Sequence, residues 1–221
     1  MRTALALAVV AALTTGCAAC TSPEGPLSTP TSSTSPPPPL TEAELATALL
    51  TAEDVAPYGW TPKEEDEEIS SEGFPPCELG PLVEVRDAAV ASASDTFADG
   101  AAGTLIALLG TFAEPAAEAV EVYRSTFLAC PVTQTTIAGV HAELHFSETA
   151  VPDLGDDAFG YRAEVFVGGV LRAVLDQSVV ACGALLAEIT TSTAAALPEP
   201  QRAELLEIAV ERAAALDDCV G

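Results

Sequence analysis

Between Phe159 and Thr191 three apolar, β-branched stretches follow one another with almost nothing between them, and no other feature restricts the fold as strongly. Phe159 to Val167, Val170 to Val180 and Ala184 to Thr191 each have strand length; Gly168-Gly169 joins the first two and a turn at Cys182-Gly183 the second pair. Connections this short leave no room for a crossover, so neighbouring strands must run antiparallel as a meander. A sheet of this kind needs an apolar cover, and the rest of the sequence has to supply it.

The cover comes from helices. Thr41-x-x-Glu44 has the form of a capping box ahead of Leu45, Leu49 and Leu50, and Thr51-x-x-Asp54 predicts a second short turn stopping at Pro57. Pro115 opens a helix in which Ala116, Val120, Tyr123 and Phe127 share a face, ending near Cys130-Pro131. Pro200 opens the last helix, to about Leu216, with Leu206, Ala209, Ala213 and Leu216 as a narrow apolar stripe. Further strands are predicted on either side of Asp99-Gly100 between Ala91 and Phe112, the second being Thr104 to Leu109. Another runs from Val140 to Ser147, with Val140, Ala142, Leu144 and Phe146 facing inward. The elements predict an α+β fold: an antiparallel sheet of about five to six strands with a C-terminal meander, packed as two layers against two or three helices and disulfide-bonded.

The N-terminus reads as an address. Met1 and Arg2 precede the uncharged run Ala4 to Leu13, which has the length of a signal-peptide core and is too short to span a bilayer. It is followed by Leu13-Thr14-Thr15-Gly16-Cys17, which resembles the lipobox of bacterial lipoproteins and implies acylation of Cys17, with Cys20 as the alternative acceptor. From Thr21 to Leu40, 16 of 20 residues are Pro, Ser or Thr, a composition that cannot build a core and serves as a tether. The organisation predicted is a lipoprotein signal peptide and lipidation site over 1–20, a tether over 21–40 and an extracytoplasmic domain over 41–221.

The formal net charge is −25, from 33 acidic and 8 basic residues. Such a field repels phosphate backbones and anionic headgroups, so no nucleic-acid partner is expected and membrane association is assigned to a covalent lipid. High Ala and Glu with Arg in place of Lys suggests an actinobacterial source. Cys77, Cys130, Cys182 and Cys219 form an even set outside the cytoplasm, with no close pair of the metal-binding kind among them, and read as two disulfides. The last helix must return antiparallel to the last strand, bringing Cys219 back to Cys182 and leaving Cys77 for Cys130.

Candidate chemistry is sparse. His141 and His145 are the two histidines of the chain and share a strand face with Glu143. Four residues along a strand separate them by ~13 Å, near the limit for bridging one metal ion, so they read as a His–Glu surface pair. Glu64 to Glu68 reads as a solvated loop, and Asp153, Asp156 and Asp157 as turn formers rather than cation ligands. No nucleophile elbow, zinc signature, phosphate loop or dinucleotide fingerprint occurs, so no enzyme, catalytic residue, metal or other cofactor is expected. The remaining signal is aromatic: Tyr58, Trp60 and Tyr161 combine flat apolar surface with a hydrogen-bonding edge and are the predicted ligand-binding residues.

Gly59-Trp60-Thr61, Pro75-Pro76-Cys77, an apolar strand leading into Glu114 to Cys130, and a strand pair from Leu171 to Thr191 before a terminal helix complete a familiar order. From Thr41 to Leu216 the chain resembles the extracellular sensor domain of mycobacterial PknH-type Ser/Thr kinases and related actinobacterial lipoproteins. The resemblance implies a disulfide-bonded α+β module with a cleft for an unknown small ligand. Cys77 and Cys130 match the family placement, whereas Cys219 departs from it by following the final helix. The function expected is a lipid-anchored cell-envelope protein on the extracytoplasmic face of the cell membrane, with a noncatalytic ligand-binding or sensor-like domain. The alternative is a structural or partner-binding envelope lipoprotein without a small ligand.

Overall fold

The computed structural model describes residues 39–63, 80–101, 103–137 and 139–216. The leader, Cys17, Cys20, most of the tether, the acidic run from Glu64, Cys77 and Cys219 lie outside the described residues. No described helix is long and apolar enough to cross a membrane.

Both capping boxes form. In α1 (Glu42–Thr47) the Thr41 amide donates to Glu44 Oε2 at 2.8 Å and the Glu44 amide to Thr41 Oγ1 at 3.3 Å. In α2 (Ala52–Val55) the Thr51 amide donates to Asp54 Oδ2 at 2.7 Å. A short 3-10 turn, Ala56–Tyr58, then closes on Gly59, whose φ of 84° lies where side-chain-bearing residues are strained. The chain continues through β1 (Thr61–Pro62), α3 (Gly80–Asp87), β2 (Ala91–Ala98), β3 (Thr104–Thr111), α4 (Ala117–Leu128), β4 (Val132–Ile137) and β5 (Val140–Thr149). It ends with β6 (Asp157–Val167), β7 (Val170–Cys182), β8 (Leu185–Thr193) and α5 (Glu199–Ala213).

The described strands form one antiparallel sheet of eight, in the order β1-β2-β3-β8-β7-β6-β5-β4. The last five are a meander, as the glycine turns require, and Gly168 and Gly169 both take positive φ, 59° and 76°, at its tightest corner. Helix α4 carries the chain from β3 in the middle of the sheet to β4 at its far edge, which lets β8 return beside β3.

The count of five to six strands is corrected to eight, because two strands carry weak signals or none. Strand β1 is two residues long, and β4 (Val132-Thr133-Gln134-Thr135-Thr136-Ile137) has no apolar alternation. Its buried positions include Thr133 and Thr135. Helix α3, with Leu82 as its buried residue, is a further element without a clear sequence signal.

The two-layer arrangement is corrected as well. One face of the sheet takes α1, α2 and α5, whose Leu45, Leu50, Val55, Leu205 and Leu206 pack with Leu105, Val180, Leu185 and Ala187. The opposite face takes α3 and α4, whose Leu82, Val120, Tyr123 and Phe127 pack with Phe159, Val179, Ala181 and Leu186. Alternate residues of β7 and β8 therefore enter two different cores, and β7 is buried without interruption from Asp176 to Cys182. Beyond the helices the cover ends: Val140, expected inward, is 49% exposed at the open end of β5.

Ion pairs tie the layers together. Asp176 on β7 accepts from Arg162 on β6 at 2.8 and 3.1 Å and pairs with Arg202 of α5 at 3.6 Å. Arg124 of α4 holds Asp157 at 2.7 and 3.2 Å, and Arg212 of α5 holds Asp54 of α2 at 2.8 Å. Two of the three loop aspartates are thus engaged, since the Asp156 carboxylate accepts the Gly183 amide at 2.7 Å while Asp157 holds Arg124. Asp153 stays exposed.

No disulfide joins two described cysteines. Cys130 and Cys182 are nevertheless disulfide-bonded, so neither is a free thiol.

Candidate ligand site

The three aromatics singled out in the sequence do not meet. Trp60, 1% exposed, is filled in beneath α1 and α5 in the first core, with Tyr58 packed against the same cluster. Tyr161 stands on the opposite face of the sheet beside α4. Burial, and then the hydrogen bond to Glu204, push the Tyr58 phenol up to about 12.

Around Tyr161 the second face carries a polar cluster that the sequence did not single out. Glu188 lies midway along β8 and is 5% exposed, a carboxylate in a sheet interior. Tyr123 Oη donates to its Oε2 at 3.0 Å, and Thr190 Oγ1 to its Oε1 at 3.0 Å. The Arg86 guanidinium of α3 brings a positive charge to the Tyr123 and Glu188 side of the cluster. One strand over, Tyr161 Oη donates to Gln177 Oε1, while Gln177 Nε2 is buried with no hydrogen-bond partner among the described residues.

Four elements place these groups. Glu188 and Gln177 occupy adjacent strands with side chains on the α4 face. Tyr123 sits one turn from Phe127 on the buried stripe of α4, and Arg86 lies in the last turn of α3. Phe127 stacks on Tyr161 with ring centroids 3.6 Å apart, and Phe146 and Phe159 flank it at 6.3 Å each. Phe127, Pro131, Phe146, Phe159 and Tyr161 also line a small recess of about 60 Å³.

Burial raises the Tyr123 phenol far above its ordinary value, with the Glu188 charge adding to it and Arg86 opposing. Burial raises Tyr161 in the same way, Glu188 again second. Burial works against the Arg86 charge, but Glu188 and Tyr123 outweigh it and the guanidinium titrates above its ordinary value. At neutral pH both phenols are donors, not bases. Both phenol protons are spent inside the cluster, on Glu188 and Gln177, so the donor left over for a ligand is the unmatched Gln177 amide N–H group, with the Arg86 guanidinium nearby. Among the described residues no group of three or more His, Cys, Asp or Glu could hold a metal ion. A signal for this site was present in the sequence: Glu188 and Asp176-Gln177 interrupt otherwise apolar strands, and a polar residue inside a doubly covered strand needs a partner.

His145 Nε2 and Glu143 Oε1 are 2.5 Å apart on the other face, a side-chain pair as the strand alternation implies.

No family model matches the chain, and no curated protein matches it. Solved structures do. One is an Rv0999 ortholog from Mycobacterium smegmatis, with 12% identity, a TM-score of 0.39, and coverage of 73% of this chain and 94% of that one. Another is the extracellular domain of PknH from Mycobacterium tuberculosis, with 12% identity and coverage of 79% of this chain and 97% of that one. Its TM-score of 0.58 shows that the two chains share a fold: the chain resembles a PknH-type extracellular domain.

Proposed function

We propose that this chain is a lipid-anchored cell-envelope protein whose domain binds a small ligand in a noncatalytic, sensor-like role. The observation that carries the binding reading is the buried Glu188–Tyr123 pair beside the Tyr161–Gln177 pair, with its unmatched Gln177 amide. A carboxylate in a sheet interior costs stability relative to an apolar residue of the same size, and such groups concentrate where function keeps them. The shared fold with an extracellular domain supports an extracytoplasmic address. The leader, Cys17 and the Pro/Ser/Thr tether support the lipid anchor, and Cys77–Cys130 and Cys182–Cys219 are the proposed disulfides.

The test is a thermal-shift screen of envelope metabolites and lipids against the wild-type chain and Gln177→Ala. A ligand that binds the native state raises the unfolding midpoint, and its shift should shrink in Gln177→Ala. Equal shifts in both proteins would refute this site, and no shift from any compound would favour a partner-binding lipoprotein. Mass spectrometry of the mature N-terminus should find an acylated Cys17; an unmodified cysteine would refute the anchor. Non-reducing peptide maps should return the two proposed bridges.

A further inference from the structure

On the face that carries α5, but beyond the end of that helix, the sheet bears a second recess unrelated to Glu188. Gln134, Glu143 and Phe166 form one cross-strand row over β4, β5 and β6, and His145 opposes Glu164 in the next row. With His141 and the bare backbone of Gly168-Gly169, the row encloses a groove of about 310 Å³. Strand β8 stops at Thr193 opposite Val174, so the β6–β7 hairpin runs past its neighbour and the groove is open along its length. An added Cβ at Gly168 or Gly169 would meet nothing within 4 Å, which leaves that wall as unobstructed peptide.

The groove's chemistry is narrow. The Phe166 ring supplies a flat apolar face, and the His145 ring is tilted against it by 45° with 4.8 Å between centroids. Glu143 accepts Gln134 Nε2 at 3.5 Å through Oε2 and meets His145 through Oε1, so its charge is already engaged from both sides and its carboxyl is held below the usual range by those bonds. A cation thus finds no unshared charge, and an anion meets a chain of net charge −25. What remains is a neutral ligand with a flat C–H face and a rim of hydroxyls, presented as a chain that can enter an open groove. We infer that the Gln134–Glu143–Phe166 groove is a neutral-oligosaccharide site. A pyranose ring lies on Phe166 with the tilted His145 ring at its edge, and its hydroxyls exchange hydrogen bonds with Glu143, Gln134 and His141. At the small end of ligand-site volumes, the groove takes a short stretch of sugar rings.

The experiment uses the full chain in a zwitterionic detergent free of sugar headgroups. Saturation-transfer NMR and calorimetry are run with chitotriose, cellotriose and mannotriose, and with trigalacturonic acid as the anionic control. At least one neutral trisaccharide should bind with Kd on the order of a millimolar, its ring C–H protons receiving most saturation, while the anionic sugar should not. Phe166→Ala should weaken it by about tenfold or more. The exposed Gln134→Ala, which leaves folding untouched, should weaken it by a smaller factor, and Gln177→Ala should leave it unchanged. No binding by any neutral probe up to about 20 mM, more than tenfold above the expected Kd, would overturn the assignment. So would undiminished binding in Gln134→Ala and Phe166→Ala, or equal binding of trigalacturonic acid.

Discussion

Replacing Asp176 by Asn should cost more stability than any surface change in this protein, because one carboxylate joins three elements. Its side chain is 2% exposed and receives two bonds from Arg162, at 2.8 and 3.1 Å, and one longer approach from Arg202, at 3.6 Å. The amide keeps the shape but removes the charge, leaving two guanidinium groups facing each other across a buried position. Removing one partner of a buried pair costs about 3–5 kcal/mol. Arg162 retains some access to water and Arg202 keeps Thr149 Oγ1 at 3.2 Å, which moves the expectation to the low end, about 3 kcal/mol. For a domain of this size that is a fall in Tm of roughly 6–12 °C. Calorimetry and urea titration measure it, and the m-value should stay constant. The triple variant Arg162→Met, Asp176→Leu, Arg202→Met should recover most of the loss, since apolar replacements avoid the desolvation penalty. A loss under about 1 kcal/mol for Asp176→Asn, a value typical of exposed pairs, would refute the view that this carboxylate clamps α5 to the sheet.

Three further outcomes follow from the geometry. Gly155→Ala should destabilise by about 2–4 kcal/mol in denaturant melts, because φ is 63° and the new Cβ would lie 2.2 Å from the Ala181 carbonyl oxygen. Tyr123→Phe removes the hydroxyl that donates to the buried Glu188 and should cost about 1–3 kcal/mol by the same assay, with a matching loss of ligand response. All three tyrosines of the chain have raised phenols, Tyr58 to about 12. A folded pKa above the unfolded value of about 10 gives stability that is complete below pH 10 and lost as pH rises towards 12 and beyond. Absorbance of tyrosinate should therefore appear only together with alkaline unfolding, and a phenol that ionises near pH 10 in the native protein would contradict it.

Much of the fold could be read from local chemistry. Thr41 with Glu44, Thr51 with Asp54, the Gly168-Gly169 corner and the Val120–Tyr123–Phe127 stripe each state their structure within a few residues, and each forms. What escaped is non-local. Nothing in Thr104 to Thr111 says that β3 will lie beside β8, since that pairing joins segments some eighty residues apart. Strand β4 escaped for another reason: its inward groups are Thr133 and Thr135, so it never shows the apolar alternation by which half-buried strands are recognised. The aromatics were legible as a class but not as a site. Trp60 and Tyr161 are separated by the sheet itself, and the side of a strand that meets a given helix is fixed only once the crossover is known.

The charge balance shows the same limit. Read as composition, 8 basic against 33 acidic residues describe a field around the molecule. Read in place, four of the eight basic residues are gathered at seams of the fold rather than spread over that field. Arg124 links α4 to β6 through Asp157, and Arg162 joins β6 to β7 through Asp176. Arg202 links α5 to β7 through the same aspartate, and Arg212 links α5 to α2 through Asp54. Each sits where two elements meet. A chain whose helices cover both faces of one sheet has many such seams, and guanidinium groups suit them because their planar fork reaches a carboxylate and a second acceptor at once. The excess acid is left to the surface, where mutual repulsion discourages association, while the arginines hold the helices to the sheet. Replacing these arginines by lysine would preserve the net charge and should still loosen every one of those seams.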